Sequence, residues 1–388
     1  MITVGTEALP TRLDQVVPAA TGRVDLLIDA AFGTGFRGEW EPPSIGDIPV
    51  LAVDIPSGLD ATTGRGKRVL SAVHTVSFQA AKPGLLFGDG PDRVGHLEIV
   101  DIGLQLGEPH AMLATSDDVL LALPRRERGA HKWSTAVHVV AGSESMPGAG
   151  ALAALGALRA GAGMVRLSHE GSVIPEPIEA VHELLPGADW SDVVLGDVHR
   201  FGSMVIGPGL GRRGGTPAEA ARLIFGSTLP VVVDGDGLFA LTWNPHGSPA
   251  SLRSRVGPVV LTPHDGEYAT LLGEPPGDDR IAAANRLVAE TGAVVLLKGP
   301  TTVVAGPDGR TWLVDVGDER LATAGSGDVL SGIIGAFLAA GVPALSAAVA
   351  AAFVHGSAAL RCSPGTLATD IAEAVAPAIA ELLSGEQP

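Results

Sequence analysis

From Ala136 to Pro300 the chain alternates short apolar runs with stretches whose apolar residues recur at helical spacing, and this alternation leaves few architectures open. The runs AVHVVAG, MVRLSH, SMVIGPGLG, PVVVDGDGL, PVVLTPHDGE and AVVLLKGP are apolar on both faces for most of their length, as strands covered on both sides require. Between them, GAGALAALGALRAGAG, TPAEAARLIFG and DDRIAAANRLVAETG read as helices, the first so rich in small residues that strand and helix backbones can approach closely. TTVVAGPDGRTWLVD reads as a hairpin closed by Gly-Pro-Asp-Gly, and three apolar helices finish the chain. The expected fold class is α/β, a doubly wound, mostly parallel sheet. Gly332 to Phe353 is long enough to span a bilayer, but Gly341 and Pro343 break it, so it reads as two buried helices of a soluble protein.

Polar residues gather where these strands end. Gly207 to Gly211, Asp234, Asp236, His264, Glu267 and Lys298 all fall at or just past a strand's C-terminal end, where open α/β sheets bind their ligands. Taken singly, the glycines also suit turns, the aspartates suit loop caps, His264 suits a satisfied half-buried histidine, and Lys298 suits a surface cation.

The segment LATAGSGDVLSGIIGAFLAAG, Leu321 to Gly341, carries the most chemistry. Gly325 and Gly327 allow backbone N–H groups to converge on an anion, and the following helix adds its positive dipole end. Asp328 would repel that anion, yet it can take the proton of a substrate hydroxyl as the oxygen attacks phosphorus. It is the candidate base of a phosphoryl-transfer site. The competing reading is that Ser326 and Asp328 only cap the helix.

Before residue 105 the strand-like runs are VDLLIDA, PVLAVDI, HTVSF and HLEIVDI, with little helix between them. That is too little to cover both faces of a sheet, so this region reads as part of a domain, and Gln105 to Arg128 reads as an interdomain connection. A net charge of −17 argues against nucleic acid or an acidic membrane as partner. The single cysteine, Cys362, excludes an internal disulfide, and MITVGTEALPTRLDQ lacks the pattern of an export signal, so the expected location is cytoplasmic.

From about Ser116 onward, HKWSTAVHVVAGS, MPGAGALAALGALRAGAGMV, GPGLG, VVVDGDGLFAL, LTPHDGEYATLLG, VVLLKGPTTVV and LATAGSGDVLSGIIGAFLAAG follow one another in the order of the ADP-dependent NAD(P)H-hydrate dehydratase family, a ribokinase-like group that this part of the chain resembles. The resemblance implies dehydration of (6S)-NADHX or (6S)-NADPHX to NADH or NADPH, with ADP, or alternatively ATP, as phosphoryl donor and magnesium as companion ion. It implies that Asp328 is the base, and that Ala149, Gly209, Gly211 and His264 line the hydrate pocket with it. Lys298, Gly299, Pro300, Thr301 and Thr302, together with Gly325, Ser326 and Gly327, would meet the nucleotide. The chain departs from the family pattern at Trp133, where glycine is usual, and at Phe239, where asparagine is usual and a polar contact near Asp236 would be lost.

DAAFGTGFRG and VLAVDIPSGLDATTG resemble the second half of the NAD(P)H-hydrate epimerase domain, Rossmann-like and often fused ahead of the dehydratase. They imply a potassium site at Asp29 and Ser57, dinucleotide phosphate at Gly33, Thr34, Gly35, Phe36, Arg37 and Gly38, and substrate near Asp54. The family's Asn-Asn-Gly-Gly-Asp string is absent from the sequence, so epimerase activity is expected to be lost. The resemblance thus implies residues 1–108 as a partial epimerase-like domain and 109–388 as the dehydratase domain. A homo-oligomer is open, since an incomplete sheet can find cover between subunits. Two further classes stay open: a related small-molecule kinase of the hydroxyethylthiazole or hydroxymethylpyrimidine type, and a catalytically silent nucleotide-binding protein.

Overall fold

The structure is a computed structural model that describes residues 24–36, 40–171, 177–242 and 251–385. Contacts divide the chain into two units, Met1–Pro109 and His110–Pro388. In the first, β1 (Leu27–Asp29), β2 (Val50–Val53), β3 (His74–Phe78) and β4 (His96–Val100) form a parallel sheet in sequential order, with one short helix, α1 (Pro91–Val94), before β4. Val50, Ala52, Thr75 and Ser77 are buried on one face, whereas on the other Ile28 remains 39 % exposed and Leu51, Val53, Val76 and Phe78 are half-buried. Among the described residues of this unit, helix is scarce and one face of the sheet is incompletely covered.

The second unit contains β5 (Met112–Leu113), α2 (Ser116–Ala122), β6 (Ala136–Val140), α3 (Pro147–Arg159), β7 (Met164–His169), β8 (Val181–Leu184) and α4 (Trp190–Asp197). It continues with β9 (Ser203–Ile206), α5 (Thr216–Gly226), β10 (Val231–Val233), α6 (Asp236–Thr242), β11 (Val259–Leu261), α7 (Asp265–Leu272), α8 (Arg280–Thr291) and β12 (Val294–Leu297). Then come β13 (Thr302–Ala305), β14 (Thr311–Val314), α9 (Ser326–Ala339), α10 (Ala344–Leu360) and α11 (Ala368–Ser384). The ten-stranded sheet runs β5-β14-β13-β12-β11-β10-β9-β6-β7-β8, parallel except where the β13–β14 hairpin turns back. Part of Gln105–Arg128 therefore belongs to this unit and is not a connection: Met112 and Leu113 pair with β14, and α2 packs on α10.

The long break between α9 and α10 falls at Gly341–Pro343, and no helix among the described residues is long and apolar enough to cross a membrane. Every residue of α9 from Val329 to Ala339 is buried. Its main partner is α3, and the small residues act between these two helices: a Cβ on Gly156 would stand 2.4 Å from the Val329 carbonyl oxygen, and one on Gly332 would stand 2.0 Å from that of Ala153. This close approach sets Val329, in the first turn of α9, against Gly156 of α3, and Gly332 against Ala153.

Candidate active site

Parallel strands β6, β9, β10, β11 and β12 point their C-terminal ends to one edge, and the loops that follow carry the polar residues singled out above. These residues converge. Lys298, after β12, places its ammonium 2.9 Å from Asp234, after β10, and 3.4 Å from Glu267, after β11. Ser331 of α9 donates to the other oxygen of Asp234 at 2.7 Å. A Cβ on Gly327 would lie 3.4 Å from the Lys298 ammonium, so this cation sits beside the glycine-rich turn. Lys298 is not the surface cation of the alternative reading, because two carboxylates enclose it. Burial disfavours its charge, but Asp234 and Glu267 outweigh burial and hold its pKa above the usual lysine value.

Gly325 takes φ +92° at the N-cap of α9, as the turn requires. Neither Ser326 nor Asp328 caps the helix: the Ser326 hydroxyl donates to the Leu321 carbonyl at 2.7 Å, and no side-chain cap bond is made. Asp328 thus has its carboxylate free of hydrogen bonds from the described residues. Burial, reinforced by the charge of Asp234 and opposed by Lys298, pushes its pKa up to about 7. Behind the turn, His355 of α10 is held near pKa 4 mainly by burial, so it is a neutral neighbour of Ser326.

The loop after β9 is shaped by Gly207 (φ +116°), Gly209 (φ +58°) and Gly211 (φ +96°). Gly209 touches the start of α3, since a Cβ there would stand 2.7 Å from that of Ala149. Gly211 N donates to Asp236 at 2.8 Å. The polar contact that Phe239 was expected to remove is supplied differently: Arg212 donates to Asp236, and its guanidinium lies 5.0 Å over the Phe239 ring. Trp133 stands before β6, at the strand end opposite the site loops, edge-on to Phe201 at 6.0 Å and under the Arg200 guanidinium at 4.3 Å. The indole therefore leaves the site untouched.

Within this loop, Gly207 has no room for a side chain. A Cβ would come within 2.0 Å of the Asp234 carbonyl oxygen and 2.3 Å of Gly237 N, both backbone. Gly207→Ala is expected to destabilise the protein by at least about 3 kcal/mol, a fall in Tm of roughly 6 °C. A melting temperature equal to wild type would contradict this packing.

His264 is exposed rather than half-buried, with 58 % of its side chain accessible. Its Nδ1 accepts from Gly266 N (3.0 Å) and Glu267 N (3.2 Å), capping α7, while Glu267 accepts from His264 N (2.9 Å). On the far side of Lys298, Gly299 and Pro300 are exposed, Thr302 is half-buried, and Thr301 is buried and donates to Asp315 at 2.8 Å. Burial raises the pKa of Asp315, with the Thr301 bond opposing it. No cluster of three metal-ligating side chains occurs among the described residues.

In the first unit, Asp29 accepts from Ser57 N (2.8 Å), Ser57 Oγ (2.6 Å) and Ala31 N (3.5 Å), and burial raises its pKa although the Ser57 bonds oppose it. A buried carboxylate and a hydroxyl form a hard-oxygen donor set fit for potassium. Asp54, at φ +70°, lies next to Gly33: a Cβ there would be 3.9 Å from Asp54 Oδ2. Thr34 and Gly35 form a turn closed by Phe36 N donating to Gly33 O at 3.0 Å, while Arg37 and Gly38 lie outside the described residues. Sequence reasoning missed Lys82, whose ammonium donates to Asp54, to Ser77 Oγ (3.1 Å) and to the Phe78 carbonyl (2.9 Å).

Residues 137–378 match the NAD(P)H-hydrate dehydratase family, and residues 3–84 match the YjeF-related protein N-terminus. The chain is 40% identical over 363 residues to the bifunctional NAD(P)H-hydrate repair enzyme Nnr of Mycobacterium leprae, covering 90% of this chain and 72% of that protein. It is 36% identical over 381 residues to the enzyme of the same name from Escherichia coli K12, covering 90% and 70%. The ADP/ATP-dependent NAD(P)H-hydrate dehydratase of Bacillus subtilis, co-crystallised with ATP and Mg2+, superposes with TM-score 0.60 at 28% identity over 70% of this chain and 99% of that one. A ribokinase-like superfamily protein from Enterococcus faecalis shares the fold, with TM-score 0.62 at 21% identity over 72% of this chain and 99% of that one. An unbonded aspartate at the mouth of a ribokinase-like glycine turn, inside a match that covers most of the second unit, leaves one assignment: the chain belongs to the NAD(P)H-hydrate dehydratase family.

Proposed function

We propose that this protein dehydrates (6S)-NADHX and (6S)-NADPHX to NADH and NADPH, consuming ADP or ATP. The observation that carries the reading is the Asp328 carboxylate, free of hydrogen bonds and raised to about 7, between the glycine turn and the Lys298 cluster.

The ring hydroxyl of the hydrate is a poor leaving group, and phosphorylation makes it a good one. Asp328 takes the hydroxyl proton as the oxygen attacks the terminal phosphorus of ADP and AMP departs. The phosphate ester then breaks its C–O bond, the neighbouring ring carbon gives up a proton, and the double bond of the reduced nicotinamide returns with release of phosphate. The N–H groups of Gly325 and Gly327 would receive the transferring phosphoryl group and Lys298 would offset its charge, whereas Ser326 N donates to the Thr323 carbonyl at 3.2 Å. Gly299, Pro300, Thr301 and Thr302 would border the AMP portion, and Ala149, Gly209, Gly211 and His264 the hydrate. Magnesium would neutralise phosphate charge while riding on the nucleotide. In the first unit, Asp29 and Ser57 would hold potassium, with Asp54 and the Gly33–Phe36 turn facing a dinucleotide.

Incubation of the purified protein with (6S)-hydrate and ADP is expected to restore absorbance near 340 nm with equimolar AMP and phosphate. Persistence of a phosphorylated product without recovered absorbance would make it a kinase instead.

The base must be ionised, and its raised pKa keeps it protonated under mildly acidic conditions. Activity is therefore present above about 7 and lost as pH falls through that value, with kcat/KM dropping about tenfold per unit below it. A flat profile between about pH 5.5 and 8 would remove Asp328 from this role.

A further inference from the structure

Arg280, the first residue of α8, has a side chain only 13 % exposed. Its guanidinium reaches two loops at once: Nη1 donates to Asp265, next to His264, at 2.9 Å, and Nη2 donates to the carbonyl oxygen of Lys298 at 2.7 Å. Nε is buried with no partner, so the group has been taken out of water for these two bonds. The guanidinium lies against Gly299: a Cβ there would be 2.8 Å from Nη2. The same two loops also meet where Lys298 N donates to the Pro263 carbonyl at 2.9 Å.

We infer that Arg280 is a positioning residue that locks the His264–Glu267 loop to the Lys298–Thr302 loop, so that the hydrate side and the nucleotide side of the cleft are set by one guanidinium. The inference rests on the dehydratase reading, which places the hydrate at the first loop and AMP at the second. Arginine is required because its planar fork serves two acceptors at fixed angles. Lysine keeps the charge but serves one acceptor well, and methionine serves neither. Since the Asp265 side chain, on the first residue of α7, is exposed and the bond to the Lys298 carbonyl is part-buried, the carbonyl bond is the one lysine would keep.

The test is steady-state kinetics with (6S)-hydrate and ADP, together with equilibrium titration of ADP, on wild type, Arg280→Met, Arg280→Lys and Asp265→Asn. Arg280→Met should raise KM for both ligands by about tenfold while kcat changes by less than about threefold. Arg280→Lys should restore the ADP value but not the hydrate value. Asp265→Asn should raise the hydrate KM alone, by about threefold, and combining it with Arg280→Met should add nothing, the signature of one shared bond. Both KM values of Arg280→Met within twofold of wild type, or a loss confined to kcat, would overturn the inference. Should Arg280→Met fail to fold, an unchanged hydrate KM in Asp265→Asn overturns it equally. A wild type that never restores the cofactor defeats the dehydratase reading instead, and ADP titration of the Arg280 variants then still reads the nucleotide half of the lock.

Discussion

Asp328→Asn is expected to lower turnover by at least about 10³-fold and to leave ADP affinity within about threefold of wild type. Asparagine keeps the shape and size of the side chain but cannot accept the hydroxyl proton. On the proposed reading, nucleotide affinity comes from the turn's N–H groups and from Lys298, none of which the substitution removes. The same change is expected to stabilise the unliganded protein. In the folded state Asp328 holds its proton up to about pH 7, whereas an unfolded chain releases it near the ordinary aspartate value. Ionisation of Asp328 therefore opposes folding; the penalty is absent in acid and fully present above pH 7. Asparagine carries no such penalty, so thermal denaturation at pH 8 should show a gain of about 2–4 kcal/mol that vanishes near pH 4. An inactive variant with unchanged stability at both pH values would mean that Asp328 is ionised at little cost. A variant of near-normal rate would end its assignment as base.

Lys298→Met should produce the second large effect, because this ammonium neutralises the carboxylates that share the strand-end cluster. Its side chain is 21 % exposed, and removing it leaves Asp234 buried without its cation and Glu267 without a partner charge. Breaking a pair of this kind costs about 3 kcal/mol, which thermal or denaturant unfolding at pH 8 would record. Asp328 loses the one charge that lowers its pKa, so the acidic limb of the rate profile should move to higher pH. ADP affinity should fall by about tenfold or more, since the ammonium beside Gly327 is no longer there to meet phosphate. Unchanged ADP affinity and an unmoved acidic limb would show that Lys298 serves the fold alone.

The parts of this architecture legible in the sequence are those with local causes. The apolar runs that became β6, β9, β10, β11 and β12 are buried on both faces, and their loop tips carry the glycines and charges that form the site. The β13–β14 hairpin and the break between α9 and α10 are written in Gly and Pro. Elements that depend on distant partners were not legible. Met112–Leu113 is a strand only because β14 lies beside it, and β8, Val181–Leu184, is an exposed edge with no apolar run to announce it. Asp328 stands out in the sequence by its glycines, but its raised pKa comes from burial and from Asp234, which lies far from it in the chain. For His264 the sequence leaves a half-buried residue open beside a site residue; its Nδ1 is committed to capping α7 and its side chain is exposed. The Lys298–Asp234 pair joins residues far apart in the chain, and Arg280 carries no motif at all.

A crystal structure of the protein with ADP and magnesium tests the central claim most directly. The account predicts the terminal phosphate within hydrogen-bond reach of the Gly325 and Gly327 amides, the AMP portion along Lys298–Thr302, and the Asp328 carboxylate facing the phosphorus from the hydrate side. ADP bound away from that turn, with Asp328 turned toward solvent or toward protein partners, would contradict it.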